Sequence, residues 1–275
     1  MIRFATNNAM ARATTLTGDN NTAYPASNML IDVKSLVHRT TDGNHGNTIT
    51  VTWNTPELVG FVGLPFCNLT SSVAGEVKVY SDTAGTTLVY DSGMVQPCPA
   101  PSVVLPGFTA QQAASAYAFG GGSFARWWFN PVMCGKLVIS LIDVSNPATN
   151  LEFSRLFVSN WWAPSYNVDA GAVLTFASNS SQVRSDGGDL LTNVGPRMRK
   201  LSLKLSNLPA SDRASLAALM RATGLSTPFV VSVFPNDTDA SLERDHMLYG
   251  KLSQFSALTY GTVNTTSLPL EIEEM

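Results

Sequence analysis

The residues able to do chemistry in this chain are few and scattered. Its three histidines, His38, His45 and His246, stand in no HxxxH spacing, and its three cysteines, Cys67, Cys98 and Cys134, form no CxxC unit. Zinc requires several such ligands to converge, so the sequence carries no metal signature and implies no cofactor. No GxSxG elbow is present to expose a nucleophilic serine, which argues against a serine hydrolase. Asp32, Asp42, Glu57, Asp143, Glu152 and Asp169 are the carboxylates that could pair as the acid and base of a glycosidase. No spacing brings two of them to one cleft, and solvated loop carboxylates are the ordinary case. Asn236-Asp237-Thr238-Asp239 has the look of a calcium loop but lacks the Gly and distal Glu of an EF-hand, and reads as a turn.

The aromatics are more informative. Trp127–Trp128 and Trp161–Trp162 are adjacent pairs at the ends of β-like runs. Neighbours on a strand point to opposite faces, so one member of each pair is expected in the core. The other is then left to pack between two modules, to stack on a sugar ring or to anchor a subunit contact. With Tyr166 and the loop residues Asp32, His38 and Arg39, the four tryptophans make up the candidate contact surface for a glycan or a neighbouring subunit. His38 and His45 lie in a polar loop, where exposure is expected.

Composition narrows the partners. Of 275 residues, 44% are hydrophobic but only 13% are charged, about half the usual share for a soluble domain. A weakly charged surface repels its own copies poorly and suits a permanent assembly. The net charge of −3 and the absence of a basic stripe argue against a dedicated nucleic-acid binder. The short cluster Arg197, Arg199 and Lys200 reads as a solvated strand face. No stretch approaches a membrane span, and the N-terminus lacks the apolar run of a secretion signal. Free thiols, cytoplasmic synthesis and solubility until assembly are the expectation.

Apolar residues recur with a period near two, which predicts a mainly β chain. In GEVKVYS, Val77 and Val79 share one face; in MRKLSLKLS, Leu201, Leu203 and Leu205 do; near the end, Leu268, Leu270 and Ile272 repeat the pattern. ITVTW, LVGFVGL, ARWWFN and KLVISLID read as separate strands. One helix is predicted over 211–223, with Ser211 as N-cap, Asp212 in the first turn and Gly224 as the stop. Residues 96–124, with early prolines and the triplet Gly120 to Gly122, read as a long excursion or as an arm reaching a neighbouring subunit. No GK[ST] follows the triplet, so it is not a phosphate loop. Pro164 and Gly171 mark a boundary, giving two units, 1–168 and 169–275.

Two resemblances follow from these stretches. From Asn8 to Val95, the polar loop, Trp53 and the YSDTAGTTLVYDSG hairpin resemble galactose-binding-like (discoidin) sandwiches. The segments SRLFVSNWWAPSYNVDAG, GPRMRKLSLKLSNLPASDRASLAALMRATG, PFVVSVFPND and HMLYGKLS resemble distal tail proteins of long-tailed bacteriophages. Together they imply an N-terminal jelly-roll β-sandwich and a C-terminal tail-tube-like β domain carrying one helix. The implied role is a non-enzymatic tail-tip or baseplate component of the virion, a hexameric or trimeric ring contacting tail tube, baseplate hub and fibres. The alternative is a carbohydrate-binding module contacting a host-surface glycan.

Overall fold

The computed structural model describes residues 1–98, 123–195, 197–237, 239–255, 257–262 and 265–275. The stretch read as a subunit-reaching arm lies almost wholly outside them. The chain is mainly β, as its alternation predicts, and its described strands form two eight-stranded sheets and one separate hairpin. Among the described residues no helix is long and apolar enough to cross a membrane.

The chain enters through β1 (Arg3–Ala5), which belongs to the second sheet. The first sheet contains β2 (Thr15–Thr17), β3 (His38–Arg39), β4 (Gly46–Cys67), β5 (Ala74–Tyr80), β6 (Leu88–Asp91), β7 (Ser123–Ile142), β8 (Glu152–Phe153) and β9 (Phe157–Ser159). ITVTW and LVGFVGL are not separate strands but one 22-residue strand, β4, and ARWWFN and KLVISLID merge likewise into β7. Their ladder continues through irregularities at Thr52/Glu57, Val59/Phe61 and Pro65/Cys67. Such bulges bend and twist a strand without ending it. The β4–β7 pair therefore turns over on itself. β2 and β5 flank one half of it, β8 and β9 the other, and the two layers enclose a core that includes Trp53, Leu64, Trp127 and Ile139.

The second sheet is built from β1, β10 (Trp161–Trp162), β11 (Val173–Ser178), β14 (Arg197–Leu208), β15 (Phe229–Ser232), β16 (Met247–Leu252), β17 (Thr259–Thr262) and β18 (Thr265–Glu274). Among the described residues, strands β12 (Ser181–Arg184) and β13 (Leu190–Asn193) pair only with each other. A boundary at 168/169 would leave Arg3–Ala5 and Trp161–Trp162 in the first unit, yet β1 pairs with both β15 and β10 inside the second sheet. Runs of two or three residues carry too little alternation to reveal a partner more than two hundred residues away.

Helix α1 (Ala210–Thr223) packs Leu216 and Leu219 against Leu201, Leu203 and Phe4 on one face of this sheet. Its N-cap is Pro209 rather than Ser211, and buried Asp212 accepts the backbone N–H of Ser165 at 2.6 Å. A second helix, α2 (Ala240–His246), is too short for its periodicity to register in the sequence. Arg199 is not on a solvated face: its Nη1 donates to the carbonyl oxygens of Arg244 and Asp245 at 2.7 and 3.2 Å, and its Nε to Glu274 at 3.0 Å. Alternation divides the sheet cleanly. Phe4, Val231 and Leu248 join the core under α1, while Ala5, Val230 and Tyr249 pack with Phe61 and Phe157 of the sandwich.

Candidate functional site

The eight residues read as a contact surface do not form one surface. Trp127 is buried in the sandwich core. His38 is fully buried, contrary to the exposed loop position expected for it. Its Nδ1–H donates to the Tyr24 carbonyl at 2.8 Å, and its Nε2 accepts from Asn47 Nδ2 at 3.2 Å. Burial pushes its pKa below the usual value. Arg39 pairs with Glu152 and lies 4.2 Å over the ring of Tyr24. Asp32 is 3.0 Å from Arg155 Nε and accepts the Tyr249 hydroxyl. Tyr166 is exposed. The remaining carboxylates are also engaged locally: Asp143 accepts from Thr70 and Asn146, Asp42 from Asn150 and Asp169 from Ser206.

Trp128 serves the junction between the two sheets. Its ring lies 4.1 Å from that of Phe61, and its Nε1 donates to Glu243 at 3.0 Å. Glu243 is fully buried and also receives Arg126 Nη2 at 2.7 Å. Arg3 lies 5.4 Å from the ring centre of Trp128 and 4.2 Å from that of Trp161, a guanidinium between two indoles. Trp128 thus packs between the two halves.

The other tryptophan pair opens onto a cleft. The cleft measures about 300 Å³ and is lined by Asn7, Arg12, Glu57, Ser159, Asn160, Trp161 and Trp162, together with Phe4, Thr6, Ala9 and Leu58. Several local devices build it. Asn7 takes a left-handed backbone, φ 60°, that asparagine tolerates better than most residues. Asn8 then caps a short 3-10 turn, Ala9–Arg12, and its Oδ1 also accepts the N–H of Val158, tying the turn to β9. That turn delivers Arg12 to Glu57, which stands at the bend of β4. Arg12 Nε and Nη2 reach the two carboxylate oxygens at 2.5 and 3.0 Å, and Nη1 reaches Asn7 at 3.1 Å. The hydrogen bonds from Arg12 lower the Glu57 pKa and in return raise that of Arg12, so both remain charged and the pair is neutral overall.

Strand β10 supplies the aromatic wall. Its pairing with β1 sets Trp162 beside Phe4, centroids 5.8 Å apart, and Trp161 on the opposite face. Trp161 is immobilised: its Nε1 donates to the Phe129 carbonyl at 2.8 Å, and Gly60 abuts its ring so closely that a Cβ would lie 2.9 Å away. Trp162 is only partly buried. Ser159 is 1% exposed, and its hydroxyl has no hydrogen-bond partner among the described residues. Buried polar atoms are usually paired, so an orphan hydroxyl lining a cleft stands out. Of this constellation, the sequence had marked Trp161, Trp162 and Glu57. Asn7, Arg12, Ser159 and Asn160 carried no signal beyond their residue type.

No family model and no curated protein matches this chain. Among solved structures, it is similar to chitosan-binding module 1 of a chitosanase/glucanase from Paenibacillus sp. IK-5, at 15% identity and TM-score 0.38, over 56% of this chain and 100% of that one. It is similar to a Streptococcus pneumoniae fucose binding module at 12% identity and TM-score 0.35, over 56% and 94%. A Ruminococcus gnavus GH29 fucosidase in complex with fucose matches at 14% identity and TM-score 0.37, over 56% of this chain and 26% of the enzyme. Likeness at this level transfers no residue's role, and the cleft stands on its own geometry.

Proposed function

We propose that this chain is a non-catalytic glycan-binding protein that holds a neutral sugar in the Arg12–Glu57–Trp161–Trp162 cleft. The carrying observation is the combination in one cleft of two indoles, a self-neutralised ion pair, two amides and an unpartnered buried hydroxyl. Its volume lies at the lower end of small-ligand sites, which combine apolar walls with a few orienting polar groups. A sugar ring presents an apolar C–H face to an indole and hydroxyls that both donate and accept. Arg12 and the amide NH₂ groups donate; Glu57 and the amide oxygens accept. An anionic ligand would meet Glu57, and a purely apolar one would strand the polar wall. The test is a glycan array of neutral bacterial-surface and host polysaccharides probed with wild type and Trp162→Ala. Binding that falls at least tenfold in the variant supports the reading; undiminished binding, or none to any glycan, refutes it.

A second reading, an assembly subunit of a phage tail tip in the virion, is favoured by the β12–β13 hairpin. Val183, Leu191 and Val194 are 64%, 60% and 80% exposed, and among the described residues the two strands pair with no others. An isolated two-stranded hairpin is marginal in water and gains most from a neighbour. Light scattering across a concentration series tests this. A discrete oligomer that Val183→Ser/Leu191→Ser dissociates supports it, and a monomer at every concentration removes it.

A further inference from the structure

Two of the three thiols converge on one serine. Cys67 closes β4 and pairs in register with Ser123 at the start of β7. The Ser123 hydroxyl lies 3.3 Å from Cys67 Sγ and 3.6 Å from Cys98 Sγ, so one side chain touches both sulfurs. Both are buried, and neither contributes to the cleft. Cys134 is elsewhere, opposite Glu57 at the bend of β4, where burial pushes its thiol up to about 12.

We propose that Cys67 and Cys98 form an intramolecular disulfide when the protein meets a small-molecule disulfide oxidant. Burial alone would raise the Cys67 thiol, but Cys98 and neighbouring backbone N–H groups hold it below its usual value. Burial and the neighbouring Cys67 push Cys98 well up. Either sulfur can open the exchange and the same bond results; in the order that begins at Cys67, Cys98 is the resolving thiol. Cys67 thiolate attacks one sulfur of the oxidant, RSSR, forming a mixed disulfide and expelling RS⁻. Cys98 then loses its proton, attacks Cys67 Sγ and expels the second RS⁻. Two protein thiols are oxidised, one RSSR is reduced to two RSH, and the protons from the protein thiols go to the leaving thiolates. The bond closes the chain segment that contains the β5–β6 hairpin and fixes Cys98 to the end of β4. A closed loop of that kind constrains the unfolded chain and raises stability.

The test treats the purified full chain with oxidised glutathione, blocks remaining thiols in denaturant and maps peptides by mass spectrometry. The expected product is 2 Da lighter by the two lost hydrogens, an order fixed by disulfide chemistry at roughly one bond per chain. It retains Cys134 as its one blockable thiol, carries a Cys67–Cys98 cross-link, and unfolds at a higher urea concentration than the reduced chain. Cys98→Ser abolishes both the cross-link and the shift. Three blockable thiols after oxidation, glutathione retained on Cys67, a cross-link through Cys134 or an unchanged urea midpoint would each overturn the proposal.

Discussion

Replacing Arg126 by Leu tests whether Glu243 fastens the two halves of the molecule together. Glu243 is fully buried and held by Arg126 Nη2 at 2.7 Å and Trp128 Nε1 at 3.0 Å, both from β7 of the sandwich, while Glu243 itself lies on α2. Removing one partner of a buried ion pair costs about 3–5 kcal/mol, because the remaining charge keeps its desolvation penalty without compensation. Arg126 is 17% exposed and Trp128 still donates, so about 3 kcal/mol, the low end, is expected. Replacing both charges with leucine removes the penalty along with the attraction. Arg126→Leu/Glu243→Leu is therefore expected within about 1 kcal/mol of wild type. Urea unfolding of wild type, Arg126→Leu, Glu243→Leu and the double variant gives the coupling energy directly. Additive effects of the two substitutions, or a single-variant cost below about 0.5 kcal/mol, would refute the fastening role.

The remaining predictions concern His38, Gly250 and Gly60. Because burial depresses the folded pKa of His38, the unfolded chain binds the extra proton first, so stability should fall as pH drops below about 6.5. His38→Gln should flatten that part of the pH profile measured by thermal unfolding; an unchanged slope would exclude His38 as its source. Gly250→Ala would place a Cβ 2.2 Å from the backbone oxygen of Glu273, at one end of the β16–β18 pairing. It should cost at least about 1–3 kcal/mol in a urea titration, as overpacking does. Gly60→Ala would press a Cβ to within 2.9 Å of the Trp161 indole, and should weaken glycan affinity more than it weakens the fold. Loss of stability with unaltered affinity would contradict the part assigned to Trp161.

How much of this was legible in the sequence depends on how local each feature is. The alternation in GEVKVYS and LSLKLS placed Val77, Val79, Leu201, Leu203 and Leu205 correctly inside, because strand burial is written two residues at a time. Helix α1 was legible for the same reason at its own period, although its first residues were not. The merging of strands into β4 and β7 was hidden, since Asn54–Glu57 looks like a break and is in fact a bulged bend. The burial of His38 was hidden too: a polar loop gives no hint that it will fold down over a ring satisfied by Tyr24 and Asn47. The cleft needed the longest-range information. Arg12 and Glu57 are 45 residues apart, and β1 and β10 meet across more than half of the chain. The tryptophan pairs were recognisable as important, but only the pairing of β10 with β1 shows which of them reaches the cleft.

The central claim is that a neutral glycan binds against Trp161 and Trp162, and the five indole N–H groups give the most direct reading of it. In a nitrogen-15 NMR titration with the best array ligand, the indole signals of Trp161 and Trp162 should shift progressively with ligand concentration. Those of Trp53 and Trp127, buried in the sandwich core, should stay still. Saturable glycan binding that leaves the Trp161 and Trp162 signals unmoved would contradict the account.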